Sequence, residues 1–497
     1  MIILRRKLPI FYNALLLTSV NLLLRLAGTT FQVYLSARIG AAGIGLLQLT
    51  LSVGTMAMVA GMAGIRTATM YLTAEELGKH RPQNVTWVLS GCVLYSILCS
   101  LSVGTLLYVL SPRIAADWVG DIRTVDALRL LAACLPVTCL CGVMTGYFTA
   151  AQRIGTLAAV EVAEQICSIA VTLLLLHFRG NREPGAACIC VVAGSAIGGC
   201  LTLVSLLILR LRDHPKSAPR IPIWHRLQET AIPLAIADNL RTGISTVENL
   251  MVPKRLALCS TLIDPLAAFG MISGMVFPIL MFPACILYGL AELLIPELAR
   301  CAAAGSKQRI RYLTAKSLRV AALYGTLFSG LLYLLAVPLC IQLYQQAEAG
   351  IWLQRFSLLI PMLYCDAITD ALTKGLGQQK ACVRYNILTN TLDVVFLFFL
   401  LPLYGIEGYY LSFLITHLLN FLLSLRRLLK ITGLPLPASL PLRIGLGFLI
   451  ALTIAAKLPT PAIQAMLYPV LLLCTLTLLG ITSQQDLQWL GKLVRNA

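Results

Sequence analysis

Charge is scarce in this chain. Of its 497 residues only 12% are Asp, Glu, Lys or Arg, and acids (21) are outnumbered by bases (39). A water-soluble domain carries about twice that charged fraction. Histidine and tryptophan are sparse, at 5 residues each. The short signatures of nucleotide binding, zinc proteolysis and metal-dependent glycosyl transfer are missing: the chain has no P-loop, no His-Glu-x-x-His and no Asp-x-Asp. Asp117 and Asp121 share a short loop and are the nearest approach to a glycosyltransferase acid pair, but no large outer domain accompanies them. The chain is therefore expected not to be an enzyme. Without a nucleotide site, any uphill transport must draw on an ion gradient, the membrane potential or the substrate gradient.

What the chain has instead is apolar length. Hydrophobic residues make up 58% of it, and the mean hydropathy is +0.83. A hydrocarbon core about 30 Å thick needs a helix of about 20 residues. Helices are favoured there because no water is present to satisfy backbone donors and acceptors. Fourteen segments qualify: 9–37, 43–72, 84–111, 125–150, 155–178, 184–210, 229–253, 265–294, 311–340, 352–376, 380–402, 405–428, 440–457 and 461–482. The fold class expected is an all-α integral membrane protein of about 14 transmembrane helices, in two six-helix lobes plus two C-terminal helices. The lobes are 1–210 and 229–430, joined by a basic linker at 211–228, with the two added spans and a tail in 431–497. The linker holds Pro215, Pro219 and Pro222 among Arg212, Lys216, Arg220 and Arg226.

An even number of spans places both termini on one side. That side collects more than twice as many Lys and Arg as the other, from Arg5, Arg6 and Lys7 through the linker to Lys492 and Arg495. The excess marks it as cytoplasmic. The formal charge of +18 is thus explained by topology, and nucleic acid is not expected as a partner. The apolar run after Arg5-Arg6-Lys7 is too long for a signal peptide and lacks a small-residue cleavage site, so it reads as an uncleaved first span. Most of the 16 cysteines lie inside apolar runs, and the two Cys-x-Cys pairs, Cys139/Cys141 and Cys188/Cys190, have no histidine beside them. They read as small buried apolar residues in a reduced chain, with no metal site expected.

Against this background the polar residues inside spans carry the information. A charge at mid-bilayer costs about 2.5–3.5 kcal/mol on insertion scales, so such groups face a bundle interior or a wet cavity. The first span has Asn21, Arg25, Gly28 and Gln32 on one helical face, and the second has Arg66 followed by Thr69 and Thr73. The seventh is the most polar, with Asp238, Arg241, Ser245 and Glu248 in one stripe. The fifth has Glu161, Glu164, Gln165 and Ser168, the tenth Asp366, Asp370 and Lys374, and the eleventh Asn386, Asn390 and Asp393. One reading is a hydrated cavity in which Arg25, Arg66 and Arg241, helped by Asn21 and Gln32, bind an anion. Arginine suits phosphate because its planar fork donates paired hydrogen bonds and stays charged. The bland alternative is internal pairing, such as Arg241 with Asp238 or Glu248. Asp238, Glu248, Glu164 and Asp393 are candidates for coupling a cation, Na+ or H+, or for such pairing. No other cofactor is expected.

Several short motifs also resemble a known family. Asn21-x-x-x-Arg25, Tyr34-Leu-Ser, Ile39-Gly-Ala-Ala-Gly-Ile-Gly-Leu-Leu-Gln48, Gly64-Ile-Arg66-x-Ala68 and Ala74-Glu-Glu76 resemble the opening of the stage V sporulation protein B-like branch of the multidrug/oligosaccharidyl-lipid/polysaccharide (MOP) flippase superfamily. Gly146-Tyr-Phe-Thr-Ala-Ala-Gln152 leading to Glu164-Gln165, and Phe277-Pro-Ile-Leu-Met-Phe-Pro283 leading to Leu294-Ile-Pro296-Glu-Leu-Ala, are similar to its later spans. The resemblance implies two six-helix lobes around a cavity and alternating access. It implies translocation of a polyprenyl-pyrophosphate-linked saccharide, lipid II or a polysaccharide precursor, across the cytoplasmic membrane of a bacterium. It implies membrane lipids and envelope-synthesis proteins as partners, and cavity arginines at Arg25 and Arg66 that hold the anionic headgroup. The spans at 440–457 and 461–482 look like those that extend a lipid-tail groove in lipid II flippases. The alternatives are an ion-coupled multidrug exporter of the same superfamily and a non-transporting scaffold for envelope or spore assembly.

Overall fold

A computed structural model describes residues 10–79, 81–179, 184–212, 223–259, 264–435 and 439–481. Among the described residues there are helices and no strands. The α-helices are α1 (Ile10–Met62), α2 (Ile65–Gly78), α3 (Val85–Arg113), α4 (Val125–Ala150), α5 (Ile154–Arg179), α6 (Pro184–Leu211), α7 (Trp224–Leu256), α8 (Pro265–Gly270), α9 (Phe277–Met281), α10 (Ala284–Ala303), α11 (Lys307–Tyr344), α12 (Ala347–Ser357), α13 (Ile360–Gly375), α14 (Gln379–Tyr404), α15 (Ile406–Thr432), α16 (Ser439–Ala456) and α17 (Pro461–Leu478). Most of the linker expected at 211–228, together with Arg5, Arg6, Lys7 and the C-terminal tail, falls outside the described residues.

Each of the fourteen expected spans falls on a helix or a broken pair of helices. By length and apolarity alone, 10 helices qualify as membrane spans among the described residues, and up to 12 if each bent pair counts as one. The count is lower than fourteen for two reasons. The stretch Leu22–Gly78 is a single count of 57 residues, yet at 1.5 Å per residue it is about 85 Å long, enough for two crossings. The polar α7 fails a hydropathy test because its stripe of charges dilutes its apolar residues.

One interruption falls in the expected gap between 37 and 43, and the others fall inside expected spans. α1 is kinked at Gly40 (φ 74°, ψ 176°). The second expected span, 43–72, breaks at Ala63 (φ 42°) and Gly64 (φ 73°). A Cβ at Gly64 would lie 2.5 Å from the Ala231 carbonyl oxygen of α7, so backbone meets backbone at this point. The eighth expected span, 265–294, passes through a π-helical turn at Met271–Val276 and breaks again between α9 and α10. The tenth is divided into α12 and α13, bent by 56°.

Interrupted helices expose carbonyls that hydrocarbon cannot satisfy. Here side-chain hydroxyls satisfy them. Tyr95 donates to the Ala63 carbonyl at 3.4 Å, and Ser36 to that of Gly274 at 3.1 Å. Tyr344, Tyr364 and Tyr324 donate to the carbonyls of Met275 (3.3 Å), Leu280 (3.0 Å) and Pro283 (2.8 Å) in turn. Ser329 donates to Ser357 at the α12–α13 bend, at 2.8 Å.

The chain divides into two compact units, Met1–Gly274 with Asp393–Tyr409, and Met275–Leu392 with Tyr410–Ala497. The first has a core built from α2, α3, α4 and α7, including Ile65, Leu72, Cys92, Phe148 and Leu227. In the second, α16 and α17 form a core with α11. Tyr468 of α17 is fully buried there and donates to the Thr326 carbonyl at 2.8 Å. None of the sixteen cysteines forms a disulfide, and nine are buried outright, including Cys92, Cys139, Cys188 and Cys285.

The break at Gly64 yields a stability prediction. Gly64→Ala forces a Cβ into the α7 backbone at a left-handed φ and should cost at least about 1 kcal/mol. Gly28→Ala, with nothing within 4 Å, should leave the melting temperature of the purified protein unchanged or slightly raised. Equal melting temperatures for the two variants would contradict the break.

Candidate functional site

The three arginines singled out in the sequence all belong to the first compact unit, on α1, α2 and α7. All three are solvent-exposed in a protein whose helices are otherwise apolar. Arg66 occupies the second position of α2, directly after the Ala63–Gly64 break. Its helix begins at a left-handed Gly64 with no side-chain cap. The uncapped N–H groups of a first turn carry a partial positive charge, which adds to the guanidinium. Glu161 of α5 lies within electrostatic reach of Arg66. Among the described residues neither Arg66 nor Arg241 makes an ion pair. Gln32 is half-buried on the Arg25 face of α1; the side chain of Asn21 lies outside the described residues.

The expected stripe of Arg66, Thr69 and Thr73 is divided by packing. Both threonines are fully buried, because α2 lies tightly on α4: a Cβ at Gly146 would stand 2.5 Å from the Arg66 carbonyl and 3.1 Å from Thr69 Cβ. Arg66, at the end of the helix, reaches out of that contact.

The acids separate into distinct environments. Arg241 pairs with neither Asp238 nor Glu248, contrary to the internal-pairing alternative. Asp238 is exposed. Glu248 is instead in hydrogen-bonding contact with Asp393, midway along α14, with Tyr409 beside both carboxyls. Two carboxyl groups in contact repel unless a proton or a cation lies between them. Around this pair α7 is fastened to α1, with Asn249 donating to the Ser52 hydroxyl (3.1 Å) and Thr246 to the Ser52 carbonyl (3.3 Å). Glu164 accepts a 2.6 Å hydrogen bond from Thr202 of α6. It lines a cavity of about 240 Å³ with Thr55, Thr138 and Ser195, among others.

In the second unit, Asp366 accepts from Asn420 at 3.0 Å, and Asp370 pairs with Lys374 at 2.6 Å. The loop acid Asp121 is held by Arg123 through its backbone N–H and two guanidinium nitrogens. The Arg123 side chain keeps the Asp121 carboxyl below the usual carboxylate range. That is a capping role at Ile122–Thr124. No group of three or more His, Cys, Asp or Glu suited to a metal occurs among the described residues.

Sequence reasoning missed one network. Arg226, counted only as a linker charge, donates to Glu75 at 2.6 Å and to Glu76 at 3.0 Å. Asn84 also donates to Glu76 at 2.8 Å, and Lys79 pairs with Glu75. The Glu76 side chain is only 4% exposed. A double acid at the end of a span was the available signal, since two adjacent carboxylates at a membrane boundary call for cationic partners.

The described residues thus form a helical bundle with broken spans, three exposed arginines and a partly buried acid pair. No protein-family model matches the chain. The structure of lipid II flippase MurJ in an inward closed conformation covers 93% of this chain and 98% of its own, with TM-score 0.68 and 14% identity. An inward-facing multidrug resistance MATE family transporter of the MOP superfamily covers 84% and 99%, with TM-score 0.67 and 12% identity. The chain is thus a multi-pass membrane protein with the all-helical MOP fold, whose structural neighbours are transporters and flippases rather than enzymes. In sequence it is similar to stage V sporulation protein B of Bacillus subtilis (strain 168), with 22% identity over 416 residues, 80% of this chain and 79% of that protein. The resemblance first seen in short motifs extends along most of the chain.

The Arg226 network predicts a coupling. Arg226→Ala leaves the Glu76 carboxylate buried with Asn84 alone and should cost roughly 1–3 kcal/mol, whereas Lys79→Ala, at an exposed pair, should cost under about 0.5 kcal/mol. Thermal unfolding of the purified variants, with Glu76→Gln/Arg226→Ala to complete the cycle, checks both figures.

Proposed function

We propose that this protein is a flippase that carries a polyprenyl-pyrophosphate-linked saccharide, lipid II or a polysaccharide precursor, across the bacterial cytoplasmic membrane by alternating access. The observation that carries the reading is Arg66, an arginine with no ion pair among the described residues, at an uncapped helix start created by the Gly64 break. With Arg25 and Arg241 it gives one unit three exposed cations on α1, α2 and α7. That is the chemistry a pyrophosphate needs to leave water, while its prenyl chain stays in lipid. Asn21 and Gln32 are assigned to the same anion site. The fold shared with a lipid II flippase and the similarity to a sporulation protein agree with such a substrate.

In this reading 1–210 and 229–430 are the two lobes, with 431–497 as the added spans and tail. Both termini face the cytoplasm, as the distribution of basic residues requires. The Glu248–Asp393 pair is the coupling site: a proton or Na+ entering between the carboxyls relieves their repulsion and biases one conformation over the other. Glu164 and Asp238 are secondary candidates for that role. Envelope-synthesis proteins would supply and consume the lipid-linked saccharide. A second reading, ion-coupled multidrug export, is favoured by the Glu164-lined cavity, since carboxylates suit cationic drugs. Peptidoglycan synthesis, sporulation and capsule export are all compatible with the first reading.

Reconstitution tests it. Protein in liposomes with a fluorescent polyprenyl-pyrophosphate sugar should flip the probe. Arg25→Ala, Arg66→Ala and Arg241→Ala should each slow flipping roughly tenfold or more, the value of one or more charge-assisted hydrogen bonds. Transport of a cationic dye with no flipping of the lipid would replace this reading with the exporter; neither activity in folded protein would leave the scaffold. Glu248→Gln should reduce the dependence of the flipping rate on pH or Na+ gradients relative to wild type. An unaltered gradient response would remove the acid pair from coupling.

A further inference from the structure

A cavity of about 560 Å³ opens between α1 and α5, lined by Ala27, Phe31, Tyr34, Arg38, Leu173 and His177, among others. It is not the candidate anion site. At about 100° per residue, its residues on α1 lie roughly 130° around the helix from Arg25, Gly28 and Gln32. Along α1 it extends about 16 Å from Ala27 to Arg38, a length suited to an extended hydrocarbon chain rather than a compact solute. Its walls are apolar apart from Thr30, whose hydroxyl is taken by the Leu26 carbonyl, and its ring-nitrogen, phenol and guanidinium groups gather at one end. There Arg38 donates to the Tyr34 hydroxyl at 3.1 Å, which orients the guanidinium, and the imidazole of His177 stands on the facing helix. Arg38 makes no ion pair with any described residue.

We infer that this groove is a binding site for one anionic phosphoglycerolipid, with its phosphodiester at Arg38, Tyr34 and His177 and an acyl chain along Ala27, Phe31 and Leu173. Charge complementarity selects the occupant. The site offers one permanent cation, a hydroxyl and an imidazole, which match the single negative charge of a phosphodiester. A pyrophosphate would bring more charge than one guanidinium balances. The apolar walls exclude a free inorganic anion as a long-lived occupant, and the volume lies within the range of small-molecule sites. Arg38 and His177 lie near the C-terminal ends of the first half of α1 and of α5, the ends away from the chain's basic N-terminus. The lipid therefore comes from the outer leaflet when that N-terminus is cytoplasmic.

The test reads binding and is independent of flipping. Full-length protein is titrated with phosphatidylglycerol, phosphatidylethanolamine or a polyprenyl pyrophosphate, and bound lipid is counted by native mass spectrometry. Wild type should retain phosphatidylglycerol in preference to phosphatidylethanolamine by roughly tenfold, as one charge-assisted contact requires. Arg38→Gln/His177→Ala should abolish that preference. Leu173→Trp, which fills the groove without touching its cation, should expel the lipid. Arg25→Ala, which removes a cation of the flippase reading, should leave phosphatidylglycerol retention intact, so failure of either proposal can be told apart. The inference is overturned if Arg38→Gln/His177→Ala retains phosphatidylglycerol as wild type does. It is also overturned if Arg25→Ala loses the lipid equally, or if Leu173→Trp retains phosphatidylglycerol as wild type does.

Discussion

Hydrocarbon offers no hydrogen bonds, and most of this structure follows from that constraint. It forces the described chain into helices. It also makes each interruption of a helix expensive unless something else satisfies the freed carbonyls. Tyr95 at the α1–α2 break, Tyr344, Tyr364 and Tyr324 along the interrupted stretch from Met275 to Pro283, and Ser329 at the α12–α13 bend do so. A buried tyrosine supplies apolar bulk and a donor in one side chain, which suits a core that must pack and hydrogen-bond at the same position.

The interruptions connect fold to function. A continuous second span would present Arg66 mid-helix, where the backbone N–H groups are already used. The break at Gly64 makes Arg66 part of a new helix start, so that side-chain charge and backbone dipole have the same sign at one place. The same break presses α2 against the α7 backbone at Ala231. It also directs Thr69 and Thr73 into the packing with α4 while leaving Arg66 outside. The acids follow the opposite logic. Glu248 and Asp393 are brought together rather than to arginines, while Glu75 and Glu76 take Arg226, so the acids of one unit are placed in two different environments.

The α1 helix illustrates how one element carries several roles. One face holds Arg25 and Gln32, another lines the lipid groove with Phe31, Tyr34 and Arg38, and beyond the Gly40 kink Gly45 meets the α8 backbone closely enough to exclude any side chain. An amphipathic helix in water has one polar and one apolar side. In a membrane protein the useful distinction is between faces that touch lipid, protein and a wet interior.

The sequence by itself determined that the chain is helical and membrane-spanning, because length, apolarity and the distribution of basic residues are local properties that hydrocarbon reads directly. It located the fourteen helical stretches and singled out Arg25, Arg66, Arg241, Glu164, Glu248 and Asp393, since charges within apolar runs are conspicuous. Partnership was beyond it. Periodicity placed Arg241 and Glu248 on one stripe and left pairing between them open as an alternative, but Glu248 contacts a residue 145 positions away, a contact that no local spacing encodes. The breaks at Gly64 and between α9 and α10 were similarly invisible, because glycine and proline inside a span are compatible with packing as much as with rupture. Only the tertiary structure decided between them, through the neighbouring backbones and hydroxyls that make each rupture affordable in oil.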